Sequence, residues 1–93
     1  MTAKTNITIS IYDLMNAYMA IPYSLEVFED PDEGGFVASY PDLPGCITCG
    51  DTLDDVYTNA IDAKKEWLLA TLEMEQEIPL PSRFLNNREM SYA

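Results

Sequence analysis

The stretch Phe36-Val-Ala-Ser-Tyr-Pro-Asp-Leu-Pro-Gly-Cys-Ile-Thr-Cys-Gly-Asp-Thr52 sets two short apolar runs on either side of Pro41-Asp-Leu-Pro-Gly45 and delivers the second to a helix start. A proline brings no N–H to a strand ladder, so Pro41 and Pro44 force the chain to turn, and Gly45 gives that turn its freedom. Two strands follow, Phe36 to Tyr40 and Cys46 to Cys49. Gly50 and Asp51 end the second. Thr52, with Asp55 three residues on, then offers the hydroxyl that caps a helix N-terminus.

Working outward, Tyr23-Ser-Leu-Glu-Val-Phe-Glu29 alternates as a strand with Tyr23, Leu25 and Val27 on one face and Phe28 on the other. Asp30-Pro-Asp-Glu-Gly-Gly35 is rich in turn formers, and its glycines reach positive φ without cost, so the flanking strands form an antiparallel hairpin. After Thr52, Leu53, Val56, Tyr57, Ala60, Ala63, Trp67, Leu68 and Leu72 recur at helical spacing. The side bearing Val56, Tyr57, Ala60 and Trp67 is expected to lie on the sheet, with Lys64 at its edge along an alkyl stem. Asp54 and Asp55 suit the positive end of this helix, whereas Glu73, Glu75 and Glu77 are expected to fray the negative end. Pro79 and Pro81 stop it.

Near the N-terminus, Ser10 and Asp13 make a short capping box ahead of an Ile11, Leu14, Met15, Tyr18 stripe. A helix over residues 10–20 is expected, docked on the domain or on a partner, after a loose end over residues 1–9. The tail over residues 83–93 holds a turn signal at Asn86-Asn87 and either adds a last strand or stays loose. The fold class is therefore α+β: a three-stranded antiparallel meander under one long amphipathic helix, with an additional N-terminal helix.

The chain has 93 residues, enough for one domain, and 47% hydrophobic with 23% charged residues places it among folding sequences. No apolar run approaches a membrane span and no signal peptide is visible, so a cytoplasmic location is expected. The formal charge of −11 opposes binding to phosphate backbones; it favours a basic partner, or serves solubility alone. The chain has no histidine. That removes the usual general base and metal ligand, and excludes Ser-His-Asp and Cys-His nucleophile systems within one chain.

Cys46-Ile-Thr-Cys49 has the spacing of a redox dithiol or half a zinc site, but no further cysteine or histidine completes a zinc shell. A strand also points residues three apart to opposite faces, so the cysteines read as packing residues. Glu29, Asp30, Asp32 and Glu33 lack the ligand alternation of a calcium loop. They read as a solvated loop or as a docking patch for a partner's lysines and arginines. No cofactor, metal or catalytic residue is expected.

The run from Glu33 to Asp55, continued by Asn59-Ala-Ile-Asp-Ala-Lys-Lys-Glu-Trp-Leu68 and Ile78-Pro-Leu-Pro-Ser82, resembles HicB-type antitoxins over residues 22–82. The resemblance implies a partial ribonuclease H-like domain that has lost nuclease chemistry and acts by binding. It implies as partner a HicA-type toxin, a small basic messenger-RNA-cleaving protein whose RNA-facing surface the antitoxin covers. A homo-oligomer, dimer or higher, is also expected. Asp32, Glu33, Tyr40, Asp42 and Leu43 are the expected toxin-facing residues, and Pro41, Pro44, Gly45, Gly50 and Thr52 the structural turn and cap. Residues 1–21 form an N-terminal extension outside the resemblance. Many family members carry a C-terminal DNA-binding module, for which residues 83–93 are too few, so no DNA binding is expected of this chain alone. The competing readings are an orphan domain of the same fold, a carboxylate-metal nuclease and a CxxC redox protein.

Overall fold

The computed structural model describes residues 9–82. It contains α1 (Ile11–Met19), β1 (Glu26–Glu29), β2 (Phe36–Ser39), β3 (Ile47–Gly50) and α2 (Leu53–Glu73), in that order. The strands form an antiparallel sheet in the order β1-β2-β3, so the expected meander and long helix are present. The expected loose N-terminal residues, the Asn86-Asn87 turn and the optional last strand lie outside the described residues, except that Ile9 is described and exposed.

Each connection is built from the residues that announce it. In the β1–β2 hairpin a carboxylate oxygen of Asp30 accepts from the backbone N–H of Asp32 (2.9 Å) and Glu33 (3.2 Å). Gly34 and Gly35 then take φ of 78° and 77°, conformations open to glycine because it lacks a Cβ. Between β2 and β3 the chain makes two successive turns, closed by Leu43 N–H to Tyr40 C=O (3.0 Å) and Cys46 N–H to Leu43 C=O (2.9 Å). Proline occupies the second position of both, and Gly45 the third position of the latter at φ 83°, the requirement of a type II turn. Pro41, Pro44 and Gly45 thus lie in the two turns that make the connection.

Thr52 caps α2 by accepting from Asp55 N–H at 3.0 Å, and Ser10 with Asp13 forms the complete capping box of α1. Gly50 has a packing reason as well: a Cβ there would lie 2.5 Å from Val56 N and 2.8 Å from Val56 Cα. The first turn of α2 therefore rests directly on the end of β3.

The core lies between α2, the α2-facing side of β2 and the β2–β3 turn. Leu43, Val56 and Leu68 are completely buried, and Ala38, Cys46 and Ala60 nearly so; each large apolar side chain removed from water contributes roughly 1.5–3 kcal/mol. Tyr23 extends this core by donating its hydroxyl to Pro79 C=O at 2.6 Å, pinning the segment after α2.

Four sequence expectations are corrected. The first strand is only Glu26–Glu29, with Tyr23 buried ahead of it and Leu25 half-buried. The buried line of α2 is Val56, Ala60, Lys64, Leu68 and Thr71, not the side bearing Tyr57, which is 60% exposed. Small Ala60 lets the helix approach the sheet on a narrow stripe, and Tyr57, one residue around from Val56, falls outside it. Lys64 is central, not marginal: it is 5% exposed. The acidic C-terminus of α2 does not unravel, because Gln76 N–H bonds Thr71 C=O and Glu75 N–H bonds Leu72 C=O. This is a Schellman closure with Glu75 at φ 56° in place of the usual glycine.

Candidate partner-binding surface

Strand register determines which side chains share a face. Ala38 points toward α2, so its cross-strand partners Val27 and Thr48 share that side, while Phe28, Val37 and Cys49 form a row on the opposite face. Glu26, Ser39 and Ile47 form the next row. Among the described residues nothing covers this open face: Phe28 is 54% and Ile47 62% exposed, and Cys49 is also exposed. Helix α2 rests on β2 and β3 without reaching β1. Every residue of β1 is consequently exposed.

The charges around this face have one sign. Glu26 lies on it, the hairpin presents Asp32 and Glu33 to solvent, and Asp51 follows β3. At the hairpin end, Asp30, Glu33, Cys49 and Asp51 line a cavity of about 170 Å³ with Phe36. Lys64 and Lys65 are the only basic residues among the described ones, and Lys64 is buried.

The expected toxin-facing residues separate into two groups. Asp32 and Glu33 are exposed as surface ligands must be. Leu43, at 0% exposure, and Tyr40, also buried, belong to the core and present no contact surface; the turn that displays their sequence also folds their side chains inward. Asp42 lies between: one carboxylate oxygen accepts from Ser82 N–H (3.1 Å) and hydroxyl (3.4 Å), tying the segment after α2 to the β2–β3 turn.

The cysteines diverge, Cys46 buried at the close of the β2–β3 turn and not within the strand as expected, Cys49 exposed on β3, and both are free thiols. Burial pushes the Cys46 thiol above its ordinary pKa, against an opposing pull from Lys64, the opposite of an activated redox thiol. Lys64 is the buried cation that sequence reasoning placed wrongly. Its ammonium donates to the carbonyls of Ile21 (3.1 Å) and Met19 (3.4 Å). It lies 5.0 Å from the Tyr23 ring centroid and 5.6 Å from that of Tyr40, within cation–π range. Desolvation holds its pKa below the ordinary lysine value. The carbonyls it binds belong to the last residue of α1 and to Ile21 just beyond it, where positive charge compensates the helix dipole. Lys64 thus ties the N-terminal extension to the domain.

A second apolar surface runs along α2 through Leu53, Tyr57 and Ile61, all exposed. Trp67 is half-buried and donates its indole N–H to Pro44 C=O at 2.8 Å, bracing the turn against the helix.

A family model described as "HicB_like antitoxin of bacterial toxin-antitoxin system" matches residues 23–91. The chain belongs to the HicB-like antitoxin family. The match starts at the buried Tyr23, leaves α1 outside, and extends beyond Ser82 into the segment read from sequence as a tail. The chain is 38% identical over 63 residues to Antitoxin HicB 1 of Photorhabdus laumondii, covering 68% of this chain and 39% of that protein. It is equally identical over 61 residues to an uncharacterized 14.9 kDa protein of Haemophilus phage HP1, covering 66% of this chain and 43% of that protein. A UPF0150 protein of Synechocystis is 38% identical over 47 residues, half of this chain and 64% of the relative. The matched region thus spans about two fifths of the first two relatives. No solved structure matches significantly. No helix of the described residues is long and apolar enough to cross a membrane.

Proposed function

We propose that this HicB-like chain is an antitoxin that binds and neutralises a small basic HicA-type toxin in the cytoplasm, covering the toxin's RNA-binding and active surface without catalysis of its own. One observation carries the reading beyond family membership: among the described residues the exposed charged side chains are acidic with the single exception of Lys65. An RNA-cleaving toxin needs a cationic surface to hold its substrate. A carboxylate-rich protein competes for that surface and is steered to it at long range.

Co-expression with the short basic product of an adjacent reading frame tests this function. The expected outcome is a stable complex on purification and restored growth of cells carrying that product. Absence of both overturns the reading. Homo-oligomerisation belongs to the same proposal and is read from the mass of the free chain by light scattering.

A further inference from the structure

We propose that the open face of the sheet, centred on Phe28, Val37, Ile47 and Cys49, is the docking surface for a basic protein partner with an apolar centre. This rests on the antitoxin reading and assigns it a place on the molecule. Within the family-matched residues two apolar surfaces are exposed, the open sheet face and the Leu53, Tyr57, Ile61 stripe of α2, whereas the exposed Ile9, Tyr12 and Leu14 lie outside the match; charged surroundings decide between the first two.

On the sheet, Glu26 sits within the face, the acidic hairpin and Asp51 close one end, and no lysine belongs to any of the three strands or to the hairpin. The α2 stripe also has acidic neighbours in Asp54 and Asp62, but it runs on toward Lys65, four residues beyond Ile61, and so carries a cation that a basic partner would have to approach. A second copy of this chain fits the sheet face poorly, because pairing two such faces about a two-fold axis brings acidic rim against acidic rim. A partner with apolar residues inside a ring of lysines or arginines matches it on both counts. Its centre covers Phe28 and Ile47, and its cations reach the carboxylates of Asp32, Glu33 and Asp51. This arrangement of dry centre and charged rim is how specific protein interfaces divide affinity from steering.

The test uses the full chain, the toxin complex obtained above, and a synthetic peptide of alternating lysine and leucine. Amide chemical shifts are recorded on titration with the peptide at low and high salt. The expected perturbations concentrate at Phe28, Val37, Ile47 and Cys49 and weaken as salt rises. Ile47→Ser and Phe28→Ser, both at exposed positions and so compatible with folding, are expected to weaken peptide and toxin by roughly tenfold or more each. Tyr57→Ser on α2 should leave both unchanged. Perturbations centred on the α2 stripe, or spread evenly over the acidic surface, overturn the proposal. A toxin complex unaffected by Ile47→Ser overturns it while leaving the antitoxin reading in place. If no toxin binds yet the lysine peptide still selects this face, the antitoxin reading fails and the docking surface stands. A dimer of the free chain that Ile47→Ser dissociates, or peptide affinity that rises tenfold when residues 83–93 are deleted, would give the face another occupant and overturn the proposal.

Discussion

Lys64 links the two regions of the chain. Its ammonium donates to the carbonyl of Met19, the last residue of α1, and to that of Ile21, and its stem is buried in line with Ala60 and Leu68. Truncation at Lys64→Ala removes packing and takes the donor from the Met19 carbonyl, a cost of about 1–3 kcal/mol, while the Ile21 carbonyl keeps its bond from Tyr23 N–H. We expect Lys64→Ala to lower stability by about 2–4 kcal/mol in urea unfolding, and Lys64→Met, which restores the stem, to recover part of that loss. Cys46 makes a second residue-scale prediction. Its folded pKa is raised above the ordinary 9.0 by burial, so above that pH the unfolded chain releases a proton that the native state retains. Its contribution is fully present below pH 9.0 and is lost as pH rises through the folded value. Tyr23 and Tyr40, raised from 10.0 by burial, act in the same direction, whereas Lys64, lowered from 10.5, acts in the opposite one. The stability advantage of the wild type over Cys46→Ala should therefore shrink above pH 9, measured by urea unfolding across an alkaline series.

At the scale of elements, the junction of β3 and α2 leaves no room for a side chain at Gly50. Gly50→Ala would force a Cβ into the backbone of Val56, and backbone cannot yield by changing rotamer. A loss of about 2–3 kcal/mol is expected, at the upper end of overpacking effects, and thermal unfolding of the variant checks it. A smaller effect would mean that α2 can lift from β3. The elements themselves were legible in the sequence because their signals are local. Ser10, Thr52, Gly45 and Asp30 each act on backbone groups within a few residues, so spacing alone identified both caps and both connections. The orientation of α2 was less legible. Val56, Tyr57, Ala60 and Trp67 form a plausible apolar side, and only packing against a sheet of small extent selects the narrower line through Lys64.

For the whole molecule, the net charge of −11 spread over so short a chain repels itself in the compact state more than in the expanded one. Raising salt from 20 mM to 500 mM shortens the Debye length from tens of ångströms to a few. The midpoint of thermal unfolding should rise by several degrees over that interval, and toxin or lysine-peptide affinity should fall over the same interval. A midpoint insensitive to salt would show that the carboxylates are already neutralised by partners within the fold.

What the sequence determined by itself was the fold class, the order of elements, the turn at Pro41 to Gly45, the Thr52 cap, the divergence of the two cysteines and the sign of the surface charge. These follow from backbone stereochemistry, side-chain periodicity and composition, which need no distant contact. Tertiary structure decided which of the suggestive residues are surface. It buried Tyr40 and Leu43, engaged Asp42 with Ser82, placed Lys64 at the centre, and left Phe28 and Ile47 in the open. The reason is that strand alternation assigns side chains to two faces but does not say which face a helix will cover, and among the described residues α2 covers only one.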